Sequence, residues 1–176
     1  PGVIVPRKTV AEALKLVAEH QGDVQVELST QKIRFVIGSV VLTSKLIDGT
    51  FPDYTRVIPV ANDKRLVVER SDFTRSVDRV STISSERGRA VKLSLGDGKL
   101  TLSVNNPDAG NAVEEIEVDY DSGALDIGFN ARYLLDIAGQ LEGDTTLFKL
   151  ADPSSPTLIL DREGSSTLYV LMPMRV

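Results

Sequence analysis

Lys64-Arg-Leu-Val-Val-Glu69, then Arg70-Ser-Asp-Phe-Thr-Arg-Ser-Val-Asp-Arg-Val-Ser-Thr-Ile83, then Ala90-Val-Lys-Leu-Ser-Leu-Gly-Asp-Gly-Lys-Leu-Thr-Leu-Ser-Val104 is the stretch that decides the architecture. Lys64–Glu69 reads as a strand. Ser71–Ile83 places Phe73, Val77 and Val80 at i, i+4 and i+7, one face of a helix, with Arg75 and Arg79 off that face. Ala90–Leu95 and Lys99–Val104 alternate apolar and polar residues around Gly96-Asp97-Gly98, the pattern of a tight hairpin. Ala112–Asp119 reads as the closing strand. The unit is therefore strand, helix and three strands.

The same βαβββ order occurs twice more. Upstream, Gly2–Pro6 reads as an opening strand, and Thr9 and Glu12, in capping-box spacing, open a helix running to His20. Gly22 ends it, and strands follow near Val24–Leu28, Lys32–Ile37 and Val40–Lys45. Downstream, Leu125–Phe129 leads into a helix over Asn130–Leu141, with strands near Thr145–Leu150, Thr157–Leu160 and Thr167–Met172 before Pro173. The helix starts, Thr9, Ser71 and Asn130, lie 62 and 59 residues apart. Val10, Leu14 and Val17 form the apolar stripe of the first helix, leaving Lys15 outside it. Tyr133, Leu134, Ile137 and Leu141 form that of the third, leaving Arg132, Asp136 and Gln140 outside. The fold class is α+β, with helices on one face of antiparallel sheets. If a core needs two units to close it, residues 63–176 make one complete domain. Residues 1–62 are then the second half of another plus a turn-rich linker, Ile47–Asn62, and the sequence predicts a preceding half-domain, in keeping with Pro1 rather than Met as first residue.

Composition narrows the chemistry. With 176 residues, 41% of them hydrophobic, the chain can bury a core. Zero cysteines exclude disulfides, thiolate metal sites and a cysteine nucleophile, and fit a reducing, cytoplasmic compartment. No apolar run approaches the ~18 residues of a membrane span, so no membrane partner is expected. A net charge of −5 argues against a broadly basic nucleic-acid surface and leaves room for a local one. The one histidine, His20, ends a helix where a cation suits the dipole, and no Ser-His-Asp arrangement can be built on it. Gly96-Asp97-Gly98 lacks the length and the Gly-Lys-Ser/Thr of a phosphate loop. Glu114-Glu115, Asp119 and Asp121 read as solvated charge. No catalytic residue, metal or cofactor is expected. The rival is an enzyme with a carboxylate metal site at Asp119, Asp121 and Asp126.

Two stretches are candidate binding surfaces. Tyr169-Val-Leu-Met-Pro-Met-Arg-Val176 holds both methionines, which either fill core or line a pocket adaptable to varied apolar partners. Phe51-Pro52-Asp53-Tyr54 with Arg56 and Val57 is an aromatic linker cluster, either a rigid turn or a binding loop.

Gly2-Val-Ile-Val-Pro-Arg-Lys8, Thr43-Ser-Lys-Leu-Ile-Asp-Gly-Thr-Phe-Pro-Asp-Tyr54, Asn105-Asn-Pro107, Ile127-Gly-Phe-Asn130 with Tyr133, and Tyr169–Arg175 together resemble the bacterial DNA polymerase III beta subunit family, the replicative sliding clamps. The resemblance runs end to end. It implies the DNA-clamp fold, a homodimeric ring of three similar domains per subunit around duplex DNA, and a processivity factor without catalysis of its own. It also implies a pocket between the middle and last domains, partly formed by the absent half of the middle domain, that takes a Gln-x-x-Leu-Phe-like motif from the polymerase III catalytic subunit, the clamp loader and other clamp-binding-motif proteins, with weakened affinity expected of this chain. The matching pocket positions are Pro52, Arg56, Val57, Asn130, Tyr133, Val170, Leu171, Met172, Pro173, Met174 and Arg175, with Gly88, Ser154 and Pro156 nearby. Arg7 and Lys8 match DNA-facing positions, and Lys15, Arg75, Arg79 and Arg132 join them because they leave the apolar stripes. Ile83 and Glu114 match the dimer interface. On this resemblance the chain is expected to span the second half of the middle domain and the whole C-terminal domain, a fragment that keeps peptide binding without closing a ring.

Overall fold

The computed structural model describes residues 2–84 and 89–176. The chain divides into two compact units, Pro1–Asp53 and Tyr54–Val176. In the first, α1 (Arg7–Ala18) is followed by β1 (Val24–Leu28), β2 (Lys32–Ile37) and β3 (Val40–Lys45), an antiparallel sheet of order β1-β2-β3. The expected opening strand at Gly2–Pro6 is reduced to one bridge, Ile4 with Ile47. The expected capping box is also absent. Pro6 caps α1 without a side-chain bond, and Thr9, two residues into the helix, is buried with its hydroxyl donating to Ser44 Oγ at 2.7 Å. The face of α1 turned inward is thus Thr9, Ala13 and the half-buried Leu16. The larger stripe, Val10, Leu14 and Val17, is exposed at 52%, 69% and 42%.

The second unit begins with a 3-10 turn, Tyr54–Val57. It continues through β4 (Lys64–Glu69), α2 (Arg70–Ser81), β5 (Ala90–Gly96), β6 (Lys99–Asn106), β7 (Gly110–Glu117) and β8 (Asp119–Tyr120). A second repeat follows as β9 (Leu125–Asn130), α3 (Ala131–Ala138), β10 (Thr145–Leu150), β11 (Thr157–Leu160) and β12 (Tyr169–Leu171). The division at Asp53 precedes the boundary read from sequence at Asn62. Asn62 shows why: its side-chain amide donates to the carbonyls of Lys149 and Pro156 at 2.8 and 2.9 Å, which ties it to the second unit.

The two repeats are interlocked by exchange of their opening strands. One sheet runs β12-β11-β10-β4-β8 and the other β7-β6-β5-β9. β4 therefore joins the closing strands of the second repeat, with Leu66 opposite Phe148, and β9 joins those of the first, with Leu93 opposite Ile127. All pairings are antiparallel. The β5–β6 hairpin turns through Asp97 and Gly98 at φ 50° and 71°, the two left-handed residues such a turn requires. Both sheets turn apolar faces onto α2 and α3, whose Phe73, Val77, Val80 and Leu134 join one core with Leu93, Leu102, Phe129 and Phe148. Phe73 meets Phe148 edge-to-face at 5.2 Å, a geometry that aligns the ring quadrupoles.

Candidate functional site

The capping of α3 sets the site. Asn130 stands at its N-cap in extended backbone, and its side-chain oxygen accepts from the Arg132 amide at 3.0 Å, satisfying one of the free donors of the first turn. From that start Leu134 and Ala138 point into the core, while Tyr133, Asp136 and Ile137 line an open groove. Tyr133 thus departs from the core stripe read in sequence. It is 56% exposed, and Ala131 and Ala138 take the buried places. The opposite wall is the strand segment Leu168–Met172, with Leu171 buried and Leu168 and Met172 exposed at 40% and 60%. The groove encloses ≈ 540 Å³. Of the other clefts, one at Gly2–Ile4 with Thr30–Lys32 and Lys45–Gly49 mixes Val3, Ile4, Leu46 and Ile47 with polar and charged residues, and one at Glu142–Thr145 and Asp161–Thr167 is lined by polar and charged residues and glycines.

The structure therefore brings Tyr133, Val170, Leu171 and Met172 together, with Asn130 and Arg132 at a polar cleft that shares Tyr133 and Asp136 with the groove. Pro173 and Met174 are half-buried and Arg175 is exposed. Met174 leaves the strand and forms a bridge to β9, its amide donating to Gly128 O at 2.8 Å. Arg56 and Val57 lie on the exposed 3-10 turn, outside the groove's lining, and Pro52 belongs to the first unit. Ser154 and Pro156 also lie outside the lining. Ser154 and Ser155 each donate an amide and a hydroxyl to the Asp152 carboxylate, which holds that carboxyl far below the usual range, and Pro156 O accepts from Asn62. This turn is built by its own hydrogen bonds. Gly88 lies outside the described residues. The sequence missed Asp136 and Leu168 as wall residues; Ile137 packs partly against the core as well as lining the groove, and the signal for α3 was that 133, 136 and 137 share a face at i, i+3 and i+4.

Four of the six basic candidates carry acidic partners. Lys15 meets Glu12 at 3.1 Å, Arg132 lies 3.9 Å from Asp136, and Arg75 pairs with Asp72. Arg79 grips Glu114 with two parallel hydrogen bonds of 2.7 and 2.8 Å, which lowers the Glu114 pKa and raises that of Arg79. Two residues expected on different surfaces are thus partners. Arg7 and Lys8 are exposed in the first turn of α1, with no acidic group within 4.0 Å among the described residues. Ile83 is half-buried against the core, and its carbonyl accepts from the Asn106 side chain at 2.6 Å. The carboxylate metal site is not assembled. Asp119 pairs with Arg65 from β8 and Asp126 with Lys92 from β9, in different sheets, and the described residues hold no group of three metal-ligating side chains. Among the described residues no helix is long and apolar enough to cross a membrane.

Two family models cover the chain. Residues 1–53 match the central domain and residues 55–175 the C-terminal domain of the DNA polymerase III beta subunit. The beta sliding clamp of Caulobacter vibrioides is 54% identical over 176 residues, all of this chain and 47% of the relative. That of Pseudomonas aeruginosa is 40% identical over 174 residues, 99% of this chain and 47% of the relative. A crystal structure of the sliding clamp of Bartonella birtlesii bound to griselimycin superposes with a TM-score of 0.94 at 60% identity, covering 100% of this chain and 48% of that one. A Caulobacter crescentus clamp structure gives 0.94 at 54% identity, covering 100% and 47%. The chain spans about half the length of the curated relatives it matches.

Proposed function

Because this chain belongs to the family of the bacterial DNA polymerase III beta subunit, the sliding clamps, we propose that it is part of a processivity factor: a non-catalytic tether that encircles duplex DNA and recruits replication proteins through the groove between α3 and β12. The observation that carries this reading is the groove itself. In a unit whose other large apolar side chains are mostly buried, Tyr133, Leu168 and Met172 stay exposed together along one concave surface. Such a surface suits a short linear motif. A partner leucine and aromatic would bury apolar area there at ~25 cal/mol per Å², offset by the cost of ordering the peptide, and Met172 can adapt to either. The polar cleft at Asn130 and Arg132 would orient a polar motif residue such as glutamine.

The first unit is read as the second half of the middle domain. Its three-stranded sheet and open α1 stripe support this, since in the second unit the corresponding stripe of α2 is closed by a second repeat. Arg7 and Lys8 are the leading DNA-facing candidates. Lys15, Arg75, Arg79 and Arg132 would have to exchange a carboxylate for a phosphate, so their contribution to affinity is small, which suits a ring that must slide. Closure into a homodimeric ring, through the edge that carries Ile83 and Glu114, belongs to the full-length protein. The groove lies wholly within the second unit, so peptide binding is expected of this chain without ring closure. The test is fluorescence anisotropy of a labelled Gln-Leu-Ser-Leu-Phe peptide titrated with the chain and with its Met172→Ala and Tyr133→Ala variants. Saturable binding weakened by both substitutions is the expected result. Binding that neither changes, or no binding by the folded chain, refutes the assignment of the groove.

A further inference from the structure

Gly128 is buried in β9, between the core residues Ile127 and Phe129, and its backbone does not lie in the left-handed region that favours glycine. Conformational freedom is therefore not what the position requires; space is. A Cβ at Gly128 would fall 2.3 Å from Val176 Cγ1 and 2.7 Å from Met174 O, both well inside van der Waals contact. The backbone of Met174 and the side chain of Val176 lie directly on this glycine, fastened by the Met174 amide donating to Gly128 O at 2.8 Å.

The topology gives this contact a consequence. β12 is the outer strand of one sheet, paired with β11, whereas β9 is the outer strand of the other, paired with β5. The chain leaves the first sheet at Leu171 and is caught by the second at Met174. Only Met172 and Pro173 span the gap, and Pro173 has a fixed φ and no N–H to pair elsewhere. Met172, exposed on the groove wall, is held in place from both ends by two different sheets.

We infer that Gly128 is a positioning residue for the groove: by admitting the Met174 backbone and the Val176 side chain against β9 it sets where Met172 stands, and occupancy of the groove and seating of this segment are energetically coupled. The inference rests on the reading of the groove as a peptide site, and it adds a residue that does not line the groove. Because coupling is reciprocal, a peptide in the groove must in turn tighten the Met174–Gly128 contact.

The test uses Gly128→Ala and the double variant Gly128→Ala/Val176→Gly, the latter removing the nearer of the two overlaps. The chain has two methionines, so ¹³C-methyl labelling yields two resonances, one reporting the groove and one the anchored segment. Gly128→Ala is expected to shift both resonances, to speed hydrogen exchange at the Met174 amide and to weaken the Gln-Leu-Ser-Leu-Phe peptide about tenfold, within the usual span of coupling between sites. The double variant should recover part of each effect. In the wild-type chain, saturating peptide should slow exchange at the Met174 amide. A displaced segment with unchanged peptide affinity overturns the coupling, and unchanged methyl resonances in a folded Gly128→Ala overturn the positioning. Should Gly128→Ala fail to fold, the double variant and the wild-type exchange experiment decide in its place. If the wild-type chain binds no peptide, the functional reading fails, while the methyl and exchange measurements still decide whether Gly128 positions Met172.

Discussion

Two helices of twelve residues, α1 and α2, carry the same apolar spacing and meet opposite fates. Phe73, Val77 and Val80 on α2 are 0–1% exposed, while Val10, Leu14 and Val17 on α1 stand open. The difference does not lie in the helices. α2 is covered because β4 and β9 are exchanged between two repeats, giving sheets of five and four strands whose apolar faces share one core with α2 and α3. α1 has one repeat around it, and the three strands beside it take up its small, partly polar face, Thr9 and Ala13. Amphipathicity tells which face of a helix is apolar; whether that face is covered depends on how many repeats share the core.

Substitution on the two stripes sharpens this contrast most. Phe73→Ala, which removes a ring packed on Phe148, should cost about 3–5 kcal/mol in denaturant unfolding of the second unit. Leu14→Ala should change the stability of the first by no more than about 0.5 kcal/mol, as substitutions at open positions do. A large loss at Leu14 would break the comparison, because it would mean the stripe is covered in solution, and analytical ultracentrifugation across a concentration series would then detect self-association that Leu14→Lys abolishes.

The groove belongs to the second unit yet behaves like α1, since its apolar side chains are open. Met172→Ala and Tyr133→Ala should each weaken peptide binding by about tenfold, near 1.4 kcal/mol, and shift the unfolding midpoint little. That combination separates an exposed binding surface from core, where both readouts would fall together. Helix starts make a finer version of the same test. Asn130→Ala removes the α3 cap and should cost about 1 kcal/mol. Thr9→Val removes no cap. Its cost, on the order of 1 kcal/mol, comes from the Ser44 hydroxyl left without its donor, and Ser44→Ala in the Thr9→Val background should recover part of it in a double-mutant cycle.

These cases also mark how far sequence reaches. The α+β class, the two βαβββ repeats of the second unit, the β5–β6 turn and the α2 stripe were legible, since each is set by spacing within a few residues. The exchange of β4 and β9 was not, because pairing between repeats is a long-range choice that no local pattern encodes. Thr9 and Glu12 have the spacing of a capping box, but the helix begins at Arg7, so Thr9 faces Ser44 instead. Met172 and Tyr133 were legible as candidates through the family resemblance. Asp136 and Leu168 were not, because a groove wall made of half an exposed strand and one side of a short helix looks, in sequence, like ordinary amphipathic surface. The role of Gly128 was invisible for a related reason: what it excludes is another segment, not a local clash.

The smallest expected effect concerns acid. Glu69, at the α2 N-cap, accepts from the Asp72 amide and the Ser71 hydroxyl, Asp152 accepts from Ser154 and Ser155, and Glu114 is held by Arg79. All three carboxyls have pKa values below their ordinary 4.5, 3.8 and 4.5, and all belong to the second unit. A carboxyl with a lowered native pKa binds fewer protons folded than unfolded, so it stabilises above its unfolded value and that stability is lost as pH falls through the native one. The unfolding temperature of the second unit should therefore hold steady above about pH 5 and decline below about 4.5. None of the three groups is buried, so the decline should be shallow, and salt divides it by mechanism. The Glu114–Arg79 share depends on charge and weakens at high salt, whereas the Asp152 and Glu69 shares rest on hydrogen bonds from neutral hydroxyls and amides and persist. Asp152→Asn, measured at low and high salt, should flatten the acid limb equally in both. A flattening that appears only at low salt would mean that net charge, rather than the turn after β10, governs the acid response.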